Sequence, residues 1–231
     1  MIIRINMVGL LKDQILDFIT HFDIENINVS CIEKHYETYV DIDAIDGQNV
    51  DDLIREIFTK FKSHIYGTNE ENIYKAVFEL LDFKNKKLAI VEDISGGRLC
   101  SELINANNNT SSIFVEGLIC TSIDSKIKRL GISREFFNSH SIMDAECCYE
   151  MASGLVMSSL ADIVIATCGQ MIDDNKSDCF IAVGDKDFIH VFKHSFEGTK
   201  NHIIQQISKF AFLHLIKKIR HNDFDFVENI I

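Results

Sequence analysis

KLAIVEDISGGRLCSEL, residues 87–103, decides how the rest of the chain is read. Its first half is a compact apolar run, Leu88 to Val91, of a length suited to a buried strand. The run breaks at Glu92-Asp93-Ile94-Ser95-Gly96-Gly97, and an amphipathic stretch follows, which predicts a helix from about Gly96 to Asn105. Small residues at a strand-to-helix turn let a ligand approach main-chain N–H groups, and a helix N-terminus favours an anion. The spacing is neither GxGxxG nor a Walker loop, so Gly96-Gly97 read equally as a tight packing turn.

Downstream, the same alternation continues. SIFVEGLICTS reads as a strand, and Asp124 to Leu130 as a helix ended by Gly131. A helix is expected from about Asp144 to Leu160, then a strand ADIVIATC ending at Gly169. CFIAVGD and DFIHVFKHSF predict a hairpin around Asp185-Lys186, and a last helix runs from about Lys200 to Ile219. Strands alternating with helices predict an α/β sandwich with a mixed sheet. His190 and His194 are four apart on a probable strand, which is not helical zinc-site spacing, and they read as solvent-facing hairpin residues.

Upstream, residues 1–85 have a different character. They hold eight basic and sixteen acidic residues, net −8, against net −4 for residues 86–231. The pattern predicts a small β-α-β-β-α unit. Leu11, Ile15, Phe18 and Ile19 share one helical face. Asn49 or Asp51 is placed to cap a helix carrying Leu53, Ile57 and Phe61. Thr68 with Glu71 forms a capping-box pattern before Ile73, Val77, Leu80 and Leu81. The expected division is therefore 1–85 and 86–231.

Composition narrows the function. The 231 residues are 46% hydrophobic and 25% charged, which excludes a disordered, collagen-like or membrane-bundle chain. A net charge of −12 repels phosphate backbones and anionic lipid, so neither nucleic acid nor membrane is an expected partner. No apolar run reaches the roughly 18 residues of a membrane span. Lys12 and Asp13 come too early for a signal-peptide core, so the protein reads as cytosolic. Seven cysteines without a CxxC read as reduced thiols. Proline is absent, so turns rest on Gly, Asn and Asp.

Several blocks resemble the CinA (competence/damage-inducible) family. KLAIVEDISGG is similar to the start of that family's C-terminal domain, whose pattern there is E-S-C/T-T-G-G. GLICTSIDSKIKRLGI, HSIMDAECCYEMASG, ADIVIATCG and FEGTKNHII resemble further family blocks in the same order. IYGTNEENIYKAVFELL resembles the end of the KH-like middle domain of long members. The resemblance implies a chain lacking the N-terminal molybdopterin-binding-like domain, with a KH-like α+β unit and then a three-layer α/β/α sandwich. It implies hydrolysis of the nicotinamide mononucleotide carboxamide by a serine nucleophile working with a tyrosine and a lysine, with no cofactor and no metal.

Carried onto this sequence, the resemblance places Asp93 at the nucleophile and Thr121 at the tyrosine, and retains Lys126. Glu92, Ser95, Gly96, Gly97, Ser122, Asp144, Cys168, Gly169 and Lys200 fall at ligand-binding positions. After Gly169 the family's loop glycine and proline are replaced by Gln170, Met171, Ile172 and Asp173. A carboxylate at 93 cannot repeat serine acyl transfer, so a silent or repurposed pocket for a nucleotide-like small molecule is expected. Three routes to activity stay open. Cys168 can serve as nucleophile beside Lys126. Ser95 or Ser122 can pair with Lys126. Glu92, Asp93 and Asp144 can gather around Mg²⁺, set against solvated or Lys126-paired carboxylates. Residues 1–85 contain no GxxG, so that segment is assigned to dimerisation rather than to RNA.

Overall fold

A computed structural model describes residues 2–22, 27–44 and 50–224. Its internal contacts divide the chain into Met1–Ala76 and Val77–Ile231. That division falls inside the helix Ile73–Phe83 rather than after it.

The first unit runs β1 (Ile2–Val8), α1 (Lys12–Ile19), β2 (Ile27–Lys34), β3 (Glu37–Ala44), α2 (Asp51–Phe61) and β4 (Ile65–Thr68). The strands form one antiparallel sheet in the order β2-β3-β1-β4. Where the resemblance implies a KH-like unit, the strands are connected as a split βαβ, the ferredoxin-like arrangement. Ile5 and Met7 of β1 and Val40 and Ile42 of β3 meet Ile15 and Ile19 of α1 and Leu53, Ile57 and Phe61 of α2. Those helical residues recur every fourth position, one face of a 3.6-residue repeat. Leu11 does not join that face: it precedes α1 and is 59% exposed.

The expected caps also shift. Val50 precedes α2 and offers no side-chain cap, and Asn49 lies outside the described residues. The third helix, α3 (Ile73–Phe83), is capped by Asn72, whose Oδ1 accepts from the N–H groups of Tyr74 and Lys75 at 3.1 and 3.0 Å. Thr68 is instead the last residue of β4, opposite Ile5. Buried Glu37 completes that helix start: its Oε2 accepts from the Ile73 N–H at 3.0 Å and from the hydroxyls of Tyr66 and Tyr39.

The second unit continues with β5 (Leu88–Glu92), α4 (Arg98–Ala106), β6 (Phe114–Ile119), α5 (Ile123–Leu130), α6 (Ala145–Ser158), β7 (Ile163–Asp173), β8 (Lys176–Gly184), β9 (Ile189–Glu197) and α7 (Lys200–Phe224). The sheet order is β6-β5-β7-β8-β9. β6, β5 and β7 are parallel, and β8 and β9 are antiparallel additions, so the sheet is mixed. Ala89, Val91, Val164, Ala166 and Cys168 present one face to α6. Side chains alternate along a strand, so the other face carries α4 and α7. Three layers result, α/β/α.

β7 does not stop at Gly169. It runs to Asp173, and Gly169 pairs with Cys179 of β8. Gly169 has φ +150°, and a Cβ there would lie 2.4 Å from the Asp178 carbonyl oxygen. Glycine is needed for that close approach of two strands. Gln170 and Met171 are therefore strand residues opposite Asp178 and Ser177, not loop residues.

Candidate functional site

β5 leads through α4 to β6 on one side, whereas β6 leads through α5 and α6 to β7 on the other side of β5. Outgoing connections diverge at the carboxyl ends of β5 and β6, and such a switch point is where open α/β sheets hold ligands. Asp93 follows β5 there. Lys126 reaches the same point from α5.

The Lys126 ammonium is fully buried, 0% exposed, and donates to Asp93 Oδ2 at 2.5 Å and to the Cys120 carbonyl oxygen at 2.8 Å. Asp93 keeps 12% of its side chain exposed. Burial raises the Asp93 carboxyl above the ordinary carboxylate range, and the contact with Lys126 offsets part of that. The sequence alternative of a Lys126-paired carboxylate is the one formed.

Glu92, one residue earlier, points to the opposite face of the sheet. Its Oε2 accepts from the N–H groups of Gly97 and Leu99 at 2.9 and 3.2 Å, and its Oε1 from Cys100 at 2.9 Å. Of the two sequence readings of the Gly96-Gly97 turn, a ligand cradle or a tight packing turn, the packing turn is the one formed at the start of α4. The chain's own carboxylate fills that place, because a strand-terminal glutamate reaches back over the first turn of the helix it precedes. Gly96 and Gly97 have φ +60° and +96°, a left-handed turn that glycine adopts without strain.

Ser95 is buried, and its hydroxyl lies 2.6 Å from that of Thr167. Its recorded partner is thus Thr167 on β7, not Lys126. Ser122 is exposed and caps α5, accepting from the Ser125 N–H at 3.1 Å. Thr121 is exposed beside it. Asp144 caps α6, accepting from the N–H groups of Cys147 at 2.7 Å and Ser141 at 2.9 Å. Cys168 is buried, and its thiol donates to the Asp144 carbonyl at 3.2 Å. Hydrogen bonding with Cys147 pulls the Cys168 pKa down, but Cys148 and burial outweigh it and push the thiol up. That is the reverse of what an activated nucleophile needs. Lys200 is exposed at the start of α7.

Glu92, Asp93 and Asp144 therefore do not gather: one faces amides, one a lysine and one the start of α6. Among the described residues no group of three or more His, Cys, Asp or Glu is placed to hold a metal ion. Thr167 was missed from the sequence. It is the single hydroxyl residue in the apolar run IVIATC, and a polar side chain in a buried strand needs a partner. The Cys120 carbonyl leaves no such signal.

Fold and site define an α/β/α domain with a buried acid–lysine pair at its switch point. The CinA C-terminal domain model matches residues 70–219, so the chain belongs to the CinA family. A competence-damage inducible relative in Caldicellulosiruptor saccharolyticus is 28% identical over 186 residues, 78% of this chain and 45% of its own length. A CinA-like protein of Thermotoga maritima is 32% identical over 120 residues, covering 52% of this chain and 29% of its own. The chain thus spans less than half the length of these relatives. In fold, it resembles a CinA superfamily protein from Klebsiella pneumoniae with TM-score 0.59 at 23% identity. That match covers 64% of this chain and 96% of the other.

Proposed function

We propose that the second unit is a CinA-family domain that keeps the amidohydrolase scaffold without carboxamide hydrolysis, and that any ligand it holds is a nucleotide-like small molecule. The observation that carries this reading is the Asp93–Lys126 pair. The Lys126 side chain is spent on Asp93 Oδ2 at 2.5 Å and on the Cys120 carbonyl oxygen at 2.8 Å, and the group beside it is a carboxylate rather than a hydroxyl that a base could activate. The two serines that the sequence offered have other partners: Ser95 meets Thr167, and Ser122 caps α5. The three substitute routes each lose support on the same geometry.

The test is ammonia release from nicotinamide mononucleotide by the pure protein at high concentration, with Lys126→Ala as control. The expected outcome is no difference between the two. Turnover that disappears in Lys126→Ala would overturn the reading. A companion variant, Asp93→Ser, restores a hydroxyl beside Lys126 and shows whether residue 93 alone silences the site.

A second reading concerns the first unit, for which we propose self-association. β2 is an edge strand of its sheet, and Ile32 on it is 49% exposed. Unpaired strand edges with apolar side chains favour pairing with another chain. Sedimentation of the protein against Ile32→Lys tests it: the variant is expected to shift toward monomer, and an unchanged distribution would count against it.

A further inference from the structure

β9 carries His194 and α7 carries His214, and their Nε2 atoms lie 2.8 Å apart. One hydrogen fits between two nitrogens at that separation, so one imidazole donates and the other accepts. The sequence reading of His194 as solvent-facing is thereby corrected: alternation turns His190, Phe192, His194 and Phe196 toward α7. The rings are walled by aromatics. His214 lies flat on Phe192, with centroids 3.7 Å apart and planes 5° apart. His194 stacks with Phe196 at 5.4 Å and lies 4.9 Å from the Phe210 ring.

Among the described residues, the charged side chain that acts on both rings is a further cation, Lys217 of α7, so a proton added to either ring meets burial and like charge. From β8, Cys179 sits opposite His194 in the strand register. Along β9, His190 stacks on the far side of Phe192.

We propose that the His194–His214 pair is a pH-sensitive latch, which fastens the edge strand β9 to α7 while both rings are neutral and releases it on acidification. The inference is independent of the reading of the Asp93–Lys126 site. Burial, then His194 and Lys217, hold His214 down to about 3, and burial followed by Lys217 holds His194 below its ordinary value. In an unfolded chain both rings take protons near about 6.5. The unfolded state therefore binds more protons below that value. The latch contributes fully above it and is lost progressively as pH falls toward the folded values.

Two measurements on the full chain test this. In a nitrogen-15 titration of the histidine rings, His214 is expected to keep neutral-tautomer shifts down to pH ~5, well below the titration of free histidine. A His214 that titrates with free histidine overturns the latch. In amide exchange corrected for intrinsic rates, β9 is expected to open about tenfold faster relative to β5 between pH ~7 and ~5. That acceleration should shrink in His214→Phe and vanish in the double variant His194→Phe/His214→Phe, and its full persistence in the double variant also overturns the proposal. If the variants fail to fold, the ring titration of the unaltered protein decides alone.

Discussion

The starts of α3 and α4 meet the same problem in different ways. Each helix begins with main-chain N–H groups that lack partners within the helix, and each is served by a buried glutamate. At α4 the glutamate is local: Glu92 lies five to eight residues before the amides it accepts from. At α3 it is remote: Glu37 comes from β3, thirty-six residues before Ile73, and shares its oxygen with two tyrosine hydroxyls. A local carboxylate ties a helix to its own strand. A remote one ties it to a sheet, through the tertiary fold.

The Asp93–Lys126 pair is a third solution, by opposite charge, and removing its cation is the sharpest way to separate the three. Lys126→Met leaves the Asp93 carboxylate buried without its partner and is expected to cost about 3–5 kcal/mol of stability in denaturant unfolding at neutral pH. Adding Asp93→Asn should return most of that loss, and a purely additive double variant would show that the two residues do not act as a pair. Glu92→Gln comes next. Both its oxygens accept from amides, so the new NH₂ must face a donor, at an expected cost of about 2–3 kcal/mol. Glu37→Gln is milder, about 1 kcal/mol, because an amide oxygen can still accept from the Ile73 N–H and the tyrosine hydroxyls named above while the charge is lost. Equal losses at 92 and 37, read from urea midpoints, would break the local-versus-remote contrast. Smallest is Asp144→Ala, which removes an ordinary helix cap and should lower stability by about 1 kcal/mol with the α/β fold intact by circular dichroism.

The same contrast explains what could be read from the sequence. The strand at 88–92, the turn at Gly96-Gly97 and the helix after it follow from local pattern, and so does the start of α6 near Asp144. The resemblance placed Asp93 and Lys126 in one site, and the two side chains meet beyond the end of β5. Where Glu92 points was not legible, since one residue decides which face of a sheet a side chain takes. The extension of β7 past Gly169 was hidden because glycine reads as a breaker, whereas here it permits two strands to approach closely. His194 was misread for a related reason: half of an exposed-looking hairpin strand is covered by α7, which lies later in the chain. Thr68 lost its cap role to Asn72 because β4 claimed it for the sheet.

The strand order of the second unit also sets the sequence of events by which the molecule is made. β5 lies at the centre of the parallel part, and its inner neighbour β7 begins at Ile163, paired with Leu88. During synthesis from the N-terminus, β5 leaves the ribosome early and must wait for β6, α5, α6 and then β7 before both its edges are covered. The first unit, whose antiparallel sheet is complete by Thr68, can close meanwhile. Pairing between distant segments is slow because loop closure precedes any contact that rewards it. Asp93 and Lys126 both precede β7 in the chain, so both charges are made before the strand that completes the seam, and the acid–lysine pair can meet ahead of it.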